Sequence, residues 1–144
     1  MALPLLNTQT FELNIPSTDE KIKFRPFLVK EEKILLQAQE GKDTEMIDAL
    51  MTIISNCTFG KINPEQYPSF DMEYIFLKIR SKAVGEKVSL NLTCPDDNET
   101  KVKSTIDLSK VEVEVEDGHT NKIELTDNVS VVMRYPTVKT FAGR

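Results

Sequence analysis

The longest regular pattern of apolar and polar positions runs from Ser69 to Glu86, reading SFDMEYIFLKIRSKAVGE. Met72, Ile75, Phe76, Ile79 and Ala83 recur at i, i+3, i+4, i+7 and i+11, which is one stripe of an α-helix. Tyr74 and Leu77 widen the stripe, so this helix is expected to touch neighbours on two sides. Ser69 or Asp71 stands where a side-chain oxygen caps the first turn. Lys78, Arg80 and Lys82 suit the negative end of the helix dipole, and Gly85 supplies a stop. The rest of the chain is expected to be organised around this core helix.

Two helical patterns precede it. The first spans about Val29 to Glu40, with Leu28, Leu35 and Ala38 as its stripe and Ile34 beside it. Glu31 and Glu32 fall in its positive first turn, and Gly41 ends it. The second spans about Glu45 to Asn56, capped by Asp43 or Thr44, with Met46, Ile47, Leu50, Met51, Ile53, Ile54 and Cys57 facing inward. The short link Gly41-Lys42-Asp43 predicts that the two pack as a near-antiparallel pair. Thr58 to Pro68, punctuated by Gly60, Pro64 and Pro68, reads as a loop.

On either side of the helices the period falls to two. Phe11, Leu13 and Ile15 alternate with polar residues, Pro16 to Asp19 makes a turn, and Lys21 to Phe24 returns with Ile22 and Phe24 on one face, a β-hairpin. After Gly85, Val88, Leu90, Leu92 and Cys94 predict a half-buried strand. Pro95 to Asn98 is a turn, and Glu99 to Asp107 returns with Val102 and Ile106 inward. Val111, Val113 and Val115 alternate with Glu112, Glu114 and Glu116. Ile123 with Leu125, then Val129, Val131, Met133 and Tyr135, give further strands. The expected fold class is α+β: an N-terminal β-hairpin, a three-helix middle and a C-terminal antiparallel sheet in a single domain. Its parts are an arm (1–8), the hairpin (9–25), the helical part (26–85) and the antiparallel strands (86–136). Residues 137–144 are expected to begin a C-terminal part that continues beyond this chain.

Composition narrows the function classes. With 144 residues, 40% hydrophobic and 28% charged, the chain is expected to be an ordinary globular protein. A net charge of -5 argues against nonspecific nucleic-acid binding, and no apolar run is long enough for a membrane span. Met1 to Leu6 lacks the form of a signal peptide, so the two cysteines are expected as free thiols in a reducing cytoplasm.

Chemistry is sparse. The only histidine, His119, sits in a turn-like stretch without a nucleophile motif near it, and reads as a solvated loop residue. Cys94-Pro95-Asp96-Asp97 has aspartate where a zinc knuckle needs its second cysteine, and Cys57 reads as a small core residue. No phosphate-binding glycine loop occurs, and no aromatic residues interleave with a basic run. No catalytic, metal or cofactor-binding residue is assigned. A small hydrolytic or metal-dependent enzyme would need His119 and Cys94 to converge on one pocket. Leu3, Leu5 and Leu6 in the arm, with Val138 and Phe141 in the tail, have no obvious home within the chain and are the candidate partner-binding residues. The bland alternative for the arm is that it adds to the sheet or covers the helical core. The Glu112, Glu114, Glu116 ladder is a charged outer face, a guard on an edge strand, or an acidic patch for a basic partner.

Five stretches carry a family resemblance: NIPSTDEKIKFRPFLVKEEKILL (Asn14 to Leu36), IISNCTFGKI (Ile53 to Ile62), FDMEYIFLKIRSKAVGE (Phe70 to Glu86), TCPDDNETKV (Thr93 to Val102) and HTNKIELTDN (His119 to Asn128). Together they resemble the baseplate hub proteins of T-even-type contractile-tailed bacteriophages, in one order over nearly the whole chain. Arg25, Pro26 and Phe27 and the helix entry at Phe70-Asp71 lie within the matching stretches as fold-defining positions. The resemblance implies a non-enzymatic protein of virion morphogenesis, without cofactor, nucleic acid or membrane as partner. It would act as an assembly chaperone for other hub and tail proteins, the tape-measure protein among the candidates, or as a permanent subunit of the baseplate. Self-association stays open. The expected location is the cytoplasm of the infected host or the virion baseplate.

Overall fold

The N-terminal hairpin pairs β1 (Phe11–Asn14) with β2 (Lys21–Phe24), Phe11 opposite Phe24 and Leu13 opposite Ile22. In the computed structural model, residues 8–141 are described, without the side chains of residues 43, 139 and 141. The alternation of the hairpin turns Leu13, Ile15, Ile22 and Phe24 to one side, where all four are buried. Three helices follow: α1 (Val29–Gln39), α2 (Asp43–Cys57) and α3 (Ser69–Val84), with a short 3-10 helix at Pro64–Gln66 before α3. Two further hairpins come next, β3 (Lys87–Thr93) with β4 (Lys101–Asp107) and β5 (Lys122–Thr126) with β6 (Val129–Val132). A four-residue helix, α4 (Val138–Phe141), is the last described element. The architecture is α+β.

The core is where the first hairpin meets α2 and α3. Ile53, Ile54 and Cys57 of α2, Ile62 of the following loop, and Met72, Ile75 and Ile79 of α3 close over the hairpin's four buried side chains. Each such side chain contributes roughly 1.5–3 kcal/mol through loss of water contact. α1 packs beside α2 and adds buried Ala38 with half-buried Ile34 and Leu35. The helix periodicity is thus largely realised, since all three helices form and the stripes of α2 and α3 make the core while that of α1 packs on its flank.

Several local expectations are corrected. α3 starts after Pro68 without a side-chain cap, because Asp71 turns inward and accepts from the Ser17 backbone N–H at 3.1 Å and from the Ser17 hydroxyl. α2 likewise starts after Lys42 with no side-chain cap. Ala83 is exposed, since no described element covers the last turn of α3 beyond Ser81. Val111 to Glu116 forms no strand. The expected C-terminal sheet is two separate two-stranded sheets, and Val102 and Ile106 face solvent instead of a core. The period-2 pattern fixes which residues share a face but says nothing about whether this chain covers that face.

Candidate protein-interaction surface

The seven paired positions of β3 and β4 sort every side chain onto one of two faces. Val88 lies opposite Ile106, Leu90 opposite Ser104 and Leu92 opposite Val102, so one face is apolar. Lys87, Lys101, Lys103 and Asp107 share the other with Ser89, Asn91, Thr93 and Thr105. The apolar face is open: Leu90, Leu92, Val102 and Ile106 are 39%, 50%, 50% and 41% exposed. On the third hairpin Ile123 and Val131 lie opposite each other, and both are exposed.

This openness is general in the C-terminal part. Among the described residues, fourteen of the eighteen exposed large hydrophobic side chains lie between Leu90 and Tyr135, and the same stretch contributes only Leu108 to the buried ones. A two-stranded hairpin without a third layer is marginal in water. Polar and aromatic tethers hold these hairpins to α3. Leu108 N–H donates to the Glu86 carbonyl at 2.7 Å, and Lys78 Nζ donates to the Ser109 and Val111 carbonyls at 3.0 and 2.9 Å. Tyr135 meets Phe70 edge-on, stacks on His119, and its hydroxyl lies 2.5 Å from His119 Nε2. Ser69 N–H donates to the Pro136 carbonyl. Contiguous apolar surface held in place without a core is the form of a protein-docking surface.

A second apolar feature is a groove of about 330 Å³ between α2 and α3, lined by Ile47, Leu50, Met51, Met72 and Phe76. Val138 of α4 is half-buried against its edge, so this tail residue has a place on the helical core. Leu3, Leu5 and Leu6 lie outside the described residues, as does the side chain of Phe141, whose backbone ends α4. The sequence pattern therefore pointed to the ends of the chain, whereas an open apolar face among the described residues is on β3–β4. The alternation that marks that surface was visible, but it reads the same for a core face and a partner face.

The polar interior is devoted to joining elements. Arg25 donates to Glu31 at 2.9 Å, Glu31 accepts from the Leu28 N–H at 2.8 Å, and the Arg25 N–H donates to the Cys57 carbonyl. These bonds fix the exit of β2 against the start of α1 and the end of α2. Burial alone would raise the Glu31 carboxyl, but the Arg25 and Leu28 donors and the Arg25 and Lys30 charges outweigh it and hold it below its ordinary range. Burial raises Asp71, against the partial offset of its two bonds from Ser17. Cys57 and Cys94 are both unpaired thiols, and desolvation pushes Cys57 up to about 11. Among the described residues no group of three or more His, Cys, Asp or Glu side chains is placed to hold a metal ion, and no helix is long and apolar enough to cross a membrane.

Among the described residues, this α+β protein leaves its C-terminal hairpins uncovered. The chain belongs to the family described as T4 bacteriophage base plate protein, whose model matches residues 7–143. It is therefore a baseplate protein of a T4-type phage, a setting in which its partners are other baseplate proteins. No curated protein and no solved structure matches the chain.

Proposed function

We propose that the chain is a non-enzymatic assembly protein of the baseplate hub, which holds another hub or tail protein against its C-terminal hairpins while the hub is built. The observation that carries this reading is the open apolar face formed by Leu90, Leu92, Val102 and Ile106 on a hairpin with no core of its own. Such a face is stabilised when an apolar surface of a partner covers it. The test is co-expression with each of the other hub proteins and with the tape-measure protein, followed by size exclusion and mass measurement. A stoichiometric complex that is lost on replacing Leu92 and Val102 by serine supports the reading. A chain that runs alone beside every candidate, or complexes indifferent to those replacements, overturns it.

A permanent subunit is the second reading, and the same hairpins favour it, since a marginal two-stranded sheet gains most from lasting cover. Purified mature particles separate the two. An assembly chaperone is absent from them, and a subunit is present in fixed copy number.

A further inference from the structure

The stretch from Glu112 to Glu116 has backbone but no ladder. Its residues form no helix or strand, and among the described residues none of its five N–H groups donates to a protein acceptor. The carbonyls from Glu112 to Val115 likewise accept nothing. Exposed, unmatched backbone of this kind is a template for strand pairing. In sequence Val111, Val113 and Val115 alternate strictly with Glu112, Glu114 and Glu116, so once extended the segment sets valines on one face and glutamates on the other. All six are exposed, and Val113 to Glu116 line an open cavity with Ser17, Phe70, His119 and Tyr135.

The free edge of β4 is the complement of that pattern. β4 pairs with β3 along one edge and with nothing along the other. Directly opposed residues share a face, so a strand added to that edge places side chains of one parity beside Val102 and Ile106 and those of the other beside Lys101 and Lys103. An alternating Val/Glu strand matches both faces at once. The charge also selects the edge, because the outer residues of β3 on the polar face beyond Lys87 are the uncharged Ser89, Asn91 and Thr93. None of Lys101, Lys103, Glu112, Glu114 and Glu116 is engaged in an ion pair within the described chain. The segment does not reach its own β4. The 3-10 helix Leu108–Lys110 intervenes, and Lys78 draws the Ser109 and Val111 carbonyls towards α3.

We propose that the occupant of the β4 edge is the Val111–Glu116 segment of a second copy of this chain. Exchange in both directions makes a two-fold dimer, with each acidic segment against the other copy's lysines. The proposal is independent of which tail protein the hairpin face holds.

Sedimentation of the 144-residue chain over a concentration series tests it, with three variants. Replacing Glu112, Glu114 and Glu116 by lysine, or Lys101 and Lys103 by glutamate, sets like charges opposite one another and is expected to weaken the dimer on the order of tenfold or more. Mixing the two charge variants restores opposite charges in both exchanges, so two monomeric proteins are expected to give a mixed dimer. Val113→Pro, which stiffens the strand and, where the residue's N–H faces β4, also removes a ladder donor, changes no charge and is expected to weaken the dimer while leaving the chain folded. A parent chain that stays monomeric throughout, or a dimer that ignores the charge variants and Val113→Pro alike, overturns the proposal. So does a pair of charge variants that fail to combine when mixed.

Discussion

The Arg25 guanidinium donates to the Glu31 carboxylate at 2.9 Å with both side chains shut away from water. Removing one partner of such a pair strands the other charge, which typically costs about 3–5 kcal/mol. Glu31→Gln keeps the shape and removes the charge, so its unfolding free energy, read from urea titration, is expected to fall by an amount in that range. Replacing both residues by apolar ones of similar volume, Arg25→Met with Glu31→Leu, is expected to cost less than the single change, because no charge is then stranded.

Glu31 and Asp71 make opposite contributions to the acid limb of stability. The folded pKa of Glu31 lies below its unfolded value near 4.5. Its stabilisation is therefore complete above the unfolded value and is lost as pH falls through the folded one. Asp71 is raised, so the folded state holds its proton more tightly and stability from this group increases as pH falls through the raised value. Urea titrations between about pH 3 and pH 7 separate the two. The advantage of the parent over Glu31→Gln is expected to shrink with acid, while its standing relative to Asp71→Asn improves.

Core and docking face are expected to respond differently to truncation. Ile75 is fully buried between α2 and the first hairpin, and Ile75→Ala is expected to cost about 2–5 kcal/mol. Leu92 is half-exposed, and Leu92→Ser is expected to change the stability of the free chain by no more than about 0.5 kcal/mol. Thermal unfolding checks the first pair of values. Partner capture by Leu92→Ser then reports on the surface with the fold intact.

How much of this was legible in the sequence depended on what each pattern encodes. The stripe Met72, Ile75, Ile79 named the core face of α3, because a 3.6-residue period identifies which side chains meet regardless of what they meet. The caps were misread, since Asp71 in a first turn looks the same whether it bonds its own helix or Ser17, a residue 54 positions away. The alternation at Leu90, Leu92, Val102 and Ile106 was read correctly as a face and wrongly as an inward one. A strand that another chain covers carries the same pattern as a strand that its own chain covers. The Arg25–Glu31 pair had no periodic signal at all, and Glu31 showed only as an acidic residue in the positive first turn of a helix.

The two thiols give a test of the core that needs no partner. Cys57 is fully buried between α2 and the first hairpin, and desolvation pushes it up to about 11, so almost none is thiolate near neutral pH. Cys94 is only half-buried, at the end of β3, where its backbone closes the Cys94–Thr100 turn. Native protein treated with iodoacetamide at about pH 8 is expected to take one label, on Cys94, and a second only in denaturant. Labelling of Cys57 under native conditions requires the core to open, so its rate follows the population of the open form. Ile75→Ala, which lowers that barrier, is expected to speed labelling of Cys57 while leaving Cys94 unchanged. Equal rates at the two cysteines in the parent protein, read by intact mass and peptide mapping, would show that α2 does not seal the core at Cys57.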